Sequence, residues 1–142
     1  DVVLQGLWKF GNDWVFDSRL SYTYQKAQDF TDKSDKDTYG GQISYIPWHS
    51  GSAILNAGYK SWELNYSFIY TGERYDVSAN TPENYRLPWY TSDFSLAKKF
   101  SWRKYDFKLT LEVNNIFNQQ YEVVRSYPMP GTNFKFILNL TI

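Results

Sequence analysis

A two-residue rhythm governs this chain. In the closing stretch NFKFILNLTI, the side chains of Phe134, Phe136, Leu138, Leu140 and Ile142 alternate with Asn133, Lys135, Asn139 and Thr141, and only Ile137 interrupts the polar series. Successive side chains of a strand point to opposite faces, so such a run builds a sheet with one oily and one wet face. The rhythm returns in YDFKLTLEVN, where Tyr105, Phe107, Leu109, Leu111 and Val113 oppose Asp106, Lys108, Thr110, Glu112 and Asn114. It returns again in WELNYSFIYT and WVFDSRLSYTY. No segment sustains an apolar period of about 3.6 residues, and Gly and Pro fall in the connections, so helix is not expected.

Seven strands follow from this reading: 2–10, 14–24, 52–59, 62–75, 90–100, 105–117 and the closing segment. The connections GND, KS and SWRK are short, and those between them are long. An antiparallel up-and-down meander with tight turns at one rim and long loops at the other has this order, as transmembrane β-barrels do. The expected fold class is therefore all-β, an antiparallel up-and-down meander of about seven strands forming a segment of a transmembrane β-barrel.

The position of the aromatic residues separates a bilayer from a dry protein interior. Trp8, Trp14, Trp62 and Trp102 lie beside the short turns, with Tyr59, Phe100 and Tyr105 near them. Tyr22, Tyr24, Tyr70 and Tyr90 stand at the opposite ends of the oily faces, and aliphatic residues such as Leu20, Leu64, Leu96, Leu109 and Leu111 hold the middle. Amphipathic rings settle at both interfaces of a membrane, so two aromatic girdles around an aliphatic band place lipid on the Phe134 side and water on the Asn133 side. A soluble sandwich would instead put its large aromatics in the middle layer. Lys98 falls on the outer side and is expected either to snorkel or to mark a bulge.

Composition removes several function classes. The chain of 142 residues carries 15 basic and 15 acidic residues, which argues for no nucleic-acid or anionic partner. It has no Cys and one His, His49, so thiolate chemistry and Cys/His zinc sites are absent and a catalytic pair is unsupported. Asp29, Asp32, Asp35 and Asp37 bunch in DFTDKSDKD, but without the Gly and Glu of a calcium loop they read as a solvated loop tip. Charges such as Glu63, Asp106, Lys108, Glu112 and Lys135 recur on every strand, as the wall of a wet lumen requires, so catalysis is not expected and neither metal nor cofactor is assigned.

The stretch EVNNIFNQQYEVVRSYPMPGTNFKFILNL resembles the C-terminal signature of TonB-dependent outer-membrane receptors, in which an Asn-Asn strand end leads through a Tyr-Pro-Pro-Gly loop into the last strand. YIPWHSGSAILNAGY resembles the family's Pro-x-His strand entry, and YTGERYD its Gly-x-Arg-Tyr strand end. The resemblance implies a bacterial outer-membrane importer: a plugged barrel that takes a scarce nutrient such as cobalamin, haem or a ferric siderophore, using energy relayed by TonB. The partners it implies are outer-membrane lipid, the remainder of the barrel and plug, TonB through a plug absent from this sequence, the small-molecule nutrient and a surface lipoprotein. Residues 1–142 would then be the C-terminal portion of a barrel of about 22 strands. An odd number of strands points the same way, because a bacterial barrel closes with an even count.

Ligand contacts are expected from the long loops, where chain is to spare. The candidates are Tyr39, Tyr45 and Trp48 in the first loop, Tyr85, Arg86 and Trp89 in the second, and Tyr121, Arg125 and Tyr127 in the third. Aromatic planes with a few Arg suit corrins, porphyrins and catecholates through stacking and cation–π contact. The alternative for the same side chains is packing of loop against loop, or contact with lipopolysaccharide. Two other functions stay open: a soluble all-β carbohydrate-binding module, and an outer-membrane hydrolase barrel for which no Ser, His and acid set is assembled by spacing.

Overall fold

A computed structural model describes residues 1–141. Nine strands run β1 (Val2–Phe10), β2 (Trp14–Tyr24), β3 (His49–Tyr59), β4 (Trp62–Thr71), β5 (Arg74–Tyr75), β6 (Tyr85–Arg86), β7 (Trp89–Trp102), β8 (Tyr105–Asn114) and β9 (Asn133–Thr141). Seven form one antiparallel sheet in the order β1-β2-β3-β4-β7-β8-β9, and β5 and β6 make a short ribbon above it. The up-and-down meander expected from the sequence is the observed one. The sheet is open, with β1 and β9 as its edges.

The registers carry the two faces intact across the whole width. Leu64, Leu96, Leu111 and Phe136 are successive cross-strand partners, as are Tyr66, Phe94, Val113 and Phe134. Since a slip of one residue would turn a strand inside out, this continuity shows every pairing obeying the same division. Nothing covers the oily side: Phe134, Phe136 and Leu138 are 71, 68 and 57% exposed, and Ala97 is the one buried hydrophobic residue among those described. The other buried residues are polar or glycine, among them Arg74, Asp76 and Asn115. A sandwich buries its apolar faces between two layers, and the described residues form one layer with that face uncovered. Leu109, Leu111 and Leu140 share the same face. Ile142, assigned to the lipid-facing row from the sequence, lies outside the described residues.

Both girdles are on the oily face. Trp8, Trp14, Trp62, Phe100 and Trp102 are exposed near the short turns, with Trp14 against Tyr59 at 4.4 Å between centroids and Trp102 opposite Tyr105. Gly6 leaves room for the Trp8 ring, which lies back over it where a Cβ would fall 2.0 Å from the ring. At the other rim Tyr22, Tyr24 and Tyr90 are exposed, and Tyr70 is the cross-strand partner of Tyr90. Tyr22 shares a hydrogen bond of 2.7 Å with His49 Nδ1, which fixes the start of β3. Lys98 snorkels: its ammonium lies 4.4 Å from the Trp62 ring centre and donates to Ser61 Oγ at 2.7 Å, and the β4–β7 register passes it without a bulge. Ser92, another polar residue in this face, shares a 3.0 Å hydrogen bond with the Tyr66 hydroxyl.

Some boundaries differ from the sequence expectation. The fourth strand ends at Thr71, not at residue 75, because the chain pulls in at Gly72, whose N–H donates to His49 O at 2.8 Å and where a Cβ would stand 2.6 Å from that oxygen. The sixth strand ends at Asn114, not at residue 117, because Asn115 takes a left-handed conformation with φ of 50°. The third and fifth strands extend to His49–Tyr59 and Trp89–Trp102, which narrows the last tight turn to Arg103 and Lys104.

Candidate ligand vestibule

The polar face is the floor of the candidate site. Along one level Ser95 Oγ donates to Asn65, Asn65 to Asn56, and Asn56 to Asp17 at 2.8 Å, so the hydrogen bonds run in one direction across four strands and end on a carboxylate. On the same level Lys135 stands 3.9 Å from Glu112, and further toward the short turns Glu63 accepts from Lys108 at 2.6 Å and pairs with Lys99. Asp106 accepts from Ser101. Each carboxylate is therefore held by neighbouring strands, which gives it a structural task. The wall is not uniformly polar, because Val3, Leu7, Ile54, Ile69 and Ile137 are exposed on the same side.

Three long loops, residues 25–48, 72–88 and 115–132, rise from the opposite rim. The middle loop anchors the other two. Gln42 and Asn80 clasp the first loop to it: Asn80 accepts from the Gln42 N–H and donates to the Gln42 carbonyl at 3.0 Å, while the Gln42 side chain donates to Ile46 O and Glu73 O. Tyr45 adds a backbone bond of 2.7 Å to Tyr75 O.

The third loop is tied by arginines. Asp76, whose side chain is 1% exposed, accepts from Arg86 Nε at 2.8 Å and lies 3.5 Å from Arg125 Nη1. Arg74, 3% exposed, donates from Nη2 to the carbonyls of Glu122 and Val123 at 2.8 and 3.2 Å. Burial holds its guanidinium below the ordinary arginine value, with the Arg86 charge adding to the effect. At the foot of the loop, Asn115 donates to Gln119 O and Pro130 O and accepts from the Gln119 N–H, which gives a physical reason for the second Asn of VNNIF.

The nine candidate side chains occupy different places. Tyr45, Arg86 and Arg125 meet in the Asp76 cluster, where the Arg125 N–H approaches the Tyr45 hydroxyl at 3.5 Å. Trp89 and Tyr121 stack at 4.5 Å, and burial raises the Tyr121 pKa. Tyr85 packs edge-on to Tyr75 and donates to Glu73 Oε2 at 2.7 Å, which raises its pKa. Tyr85, Arg86, Trp89 and Tyr121, with Gln119, Gln120 and Pro128, border a hollow of about 470 Å³, and Tyr45 and Arg125 are not in its lining. Trp48 carries Lys26 at 5.3 Å over its ring, Tyr39 packs on Phe30, and Tyr127 is 70% exposed, so these three stand apart from the hollow. Sequence reading missed Arg74, Asp76, Gln42 and Asn80. The juxtaposed opposite charges of GERYD were the available signal for the first two; no local pattern marks the amide clasp.

The acidic stretch of the first loop turns on itself. The hydroxyls of Thr31 and Ser34, and after them their backbone N–H groups at 2.8 Å, lower the carboxyl pKa values of Asp29 and Asp32, and Asp35 accepts from the Asp37 N–H and Thr38 Oγ1. These are Asx turns that shape a loop tip.

A family model described as TonB dependent receptor-like, beta-barrel matches residues 2–116. The match takes in β1 through β8, and β9 continues the same sheet beyond it. No curated protein matches the chain.

Proposed function

We propose that this chain, which belongs to the family of TonB-dependent receptor β-barrels, forms part of the wall of a bacterial outer-membrane importer for a scarce nutrient such as cobalamin, haem or a ferric siderophore. The observation that carries this reading is the single sheet whose oily face is uncovered across seven strands and banded by aromatic girdles at both rims. Exposing that face to water would leave more contiguous apolar surface than a soluble monomer tolerates, whereas hydrocarbon meets it at no cost. The family is one of transporters, and among the described residues the carboxylates named on the polar side are held by cross-strand partners.

Residues 1–142 are the C-terminal portion of the barrel in this reading. An odd sheet with two free edges needs further strands to close, and the exposed Val3, Leu7, Ile54, Ile69 and Ile137 on the lumen side suit a protein plug better than bulk water. The plug would receive TonB on its periplasmic side, and the vestibule between the long loops would receive the nutrient, with any surface lipoprotein docking outside. The test is fractionation and uptake with the complete receptor. Recovery in the outer membrane, with uptake lost on deletion of the receptor or of TonB, supports the proposal. A receptor that stays soluble and monomeric in buffer without detergent overturns it.

A further inference from the structure

Above the lumen, between the ends of β4 and β7 and the third loop, lies a second hollow of about 220 Å³, lined by Tyr45, Thr71, Arg74, Trp89, Val123 and Val124. Two of its lining side chains hold buried hydrogen-bond donors without partners: Arg74 Nη1 and Trp89 Nε1. Arg74 is only 3% exposed, yet its other terminal nitrogen bonds only neutral backbone carbonyls, and no carboxylate among the described residues pairs with it. Asp76, two residues along the chain, is engaged through Oδ2 by Arg86 and Arg125, and its buried Oδ1 meets no donor, Arg74 included. A buried guanidinium without a counter-charge is costly, and a buried donor without an acceptor adds to that cost, so this corner lacks an anionic acceptor.

We infer that the Arg74–Trp89 hollow is a binding subsite for a carboxylate carried on a small apolar body. The guanidinium supplies the charge and a donor, and the indole N–H a second donor. Val123, Val124 and the Trp89 ring supply apolar walls for the rest of the molecule. Thr71 and Trp89 are cross-strand partners on the lumen side, which puts the subsite at the mouth of the importer's pore. The inference rests on the vestibule reading above and narrows it: nutrients that present a carboxylate fit, and those that present only neutral carboxamides do not.

The experiment titrates the complete detergent-solubilised receptor with benzoate and with benzamide, following heat release and indole fluorescence. Saturable benzoate binding without benzamide binding is expected. Trp89→Phe, which keeps an aromatic ring against Tyr121 but removes the N–H together with the second ring of the wall, should weaken benzoate by about tenfold, and Arg74→Lys by at least as much. Absence of saturable benzoate binding, or equal binding of the amide, overturns the inference and shows the corner to be filled by water only. Full benzoate affinity in Trp89→Phe overturns the indole's part directly, whatever Arg74→Lys does to loop packing. Benzoate that competes with nutrient uptake assigns the carboxylate to the nutrient. Binding without competition assigns it to a free carboxylate at the same subsite. Failure of benzoate to bind a receptor that still imports leaves the transport proposal standing and sinks only this one.

Discussion

Lys108 on β8 reaches over β7 to donate to Glu63 on β4 at 2.6 Å, and the residue beneath the span is Ala97, cross-strand partner of both Glu63 and Thr110. The small methyl lets the lysine stem lie flat, and the arch in turn leaves Ala97 2% exposed. Both charged groups are more than a third exposed, so the pair itself contributes little. Glu63→Gln should lower stability by less than about 1 kcal/mol, an effect that fades with added salt. Ala97→Phe should cost more, by forcing the arch apart. Thermal unfolding of the complete receptor in detergent at two salt concentrations checks both.

Neighbouring positions on β9 lie on opposite faces of the sheet, which in the proposed barrel meet lipid and lumen. Phe136 belongs to the row with Leu111, Leu96 and Leu64, and Ile137 is on the lumen side beside Thr110. Phe136→Arg should destabilise the folded barrel in lipid by about 2–4 kcal/mol, while Ile137→Arg should cost well under half as much. Equilibrium folding into vesicles measures both, and equal penalties would contradict the assignment of faces.

Asp76 couples the second and third loops through two arginines. Asp76→Asn leaves Arg86 and Arg125 without a counter-charge and should loosen this part of the vestibule by on the order of 3 kcal/mol. Hydrogen exchange should quicken in residues 72–88 and 115–132 while β3 and β4 keep their protection. Loss of protection throughout the sheet would mean that the cluster supports the barrel as well as the loops.

The bond from Tyr85 to Glu73 sets a pH dependence. Tyr85 has a raised pKa in the folded loop, first because of this hydrogen bond and then because of burial, so its contribution is complete below the ordinary tyrosine pKa near 10 and fades as pH rises through the higher folded value. Exchange at β5 and β6 should therefore quicken in strongly alkaline buffer. Tyr85→Phe should abolish that step and leave a loop slightly less protected at neutral pH.

How much was legible beforehand depends on the range of the interaction. Alternation of large apolar and polar side chains is written residue by residue, and a strand translates it directly into two faces. For that reason β1 and β2, their tight turn and the whole oily row from Phe134 to Leu140 could be read from the sequence. The aromatic rows beside the two rims were legible too, because distance from a turn is read directly along each strand. Strand ends set by contact were not: Thr71 ends β4 because Gly72 meets His49, 23 positions earlier in the chain.

Alternation along each strand was enough to define the sheet and its two chemically distinct faces, since each rests on a period that neighbouring residues enforce. How the loops use their charges was settled by contacts between distant segments. Arg86 and Arg125 looked free to meet a ligand, yet both turn to Asp76, while Arg74, unremarkable as part of a strand end, is buried against carbonyls nearly 50 residues away with one nitrogen unmet. Such pairings follow from which strand ends the sheet order brings together, and a buried charge takes whatever partner that closure supplies.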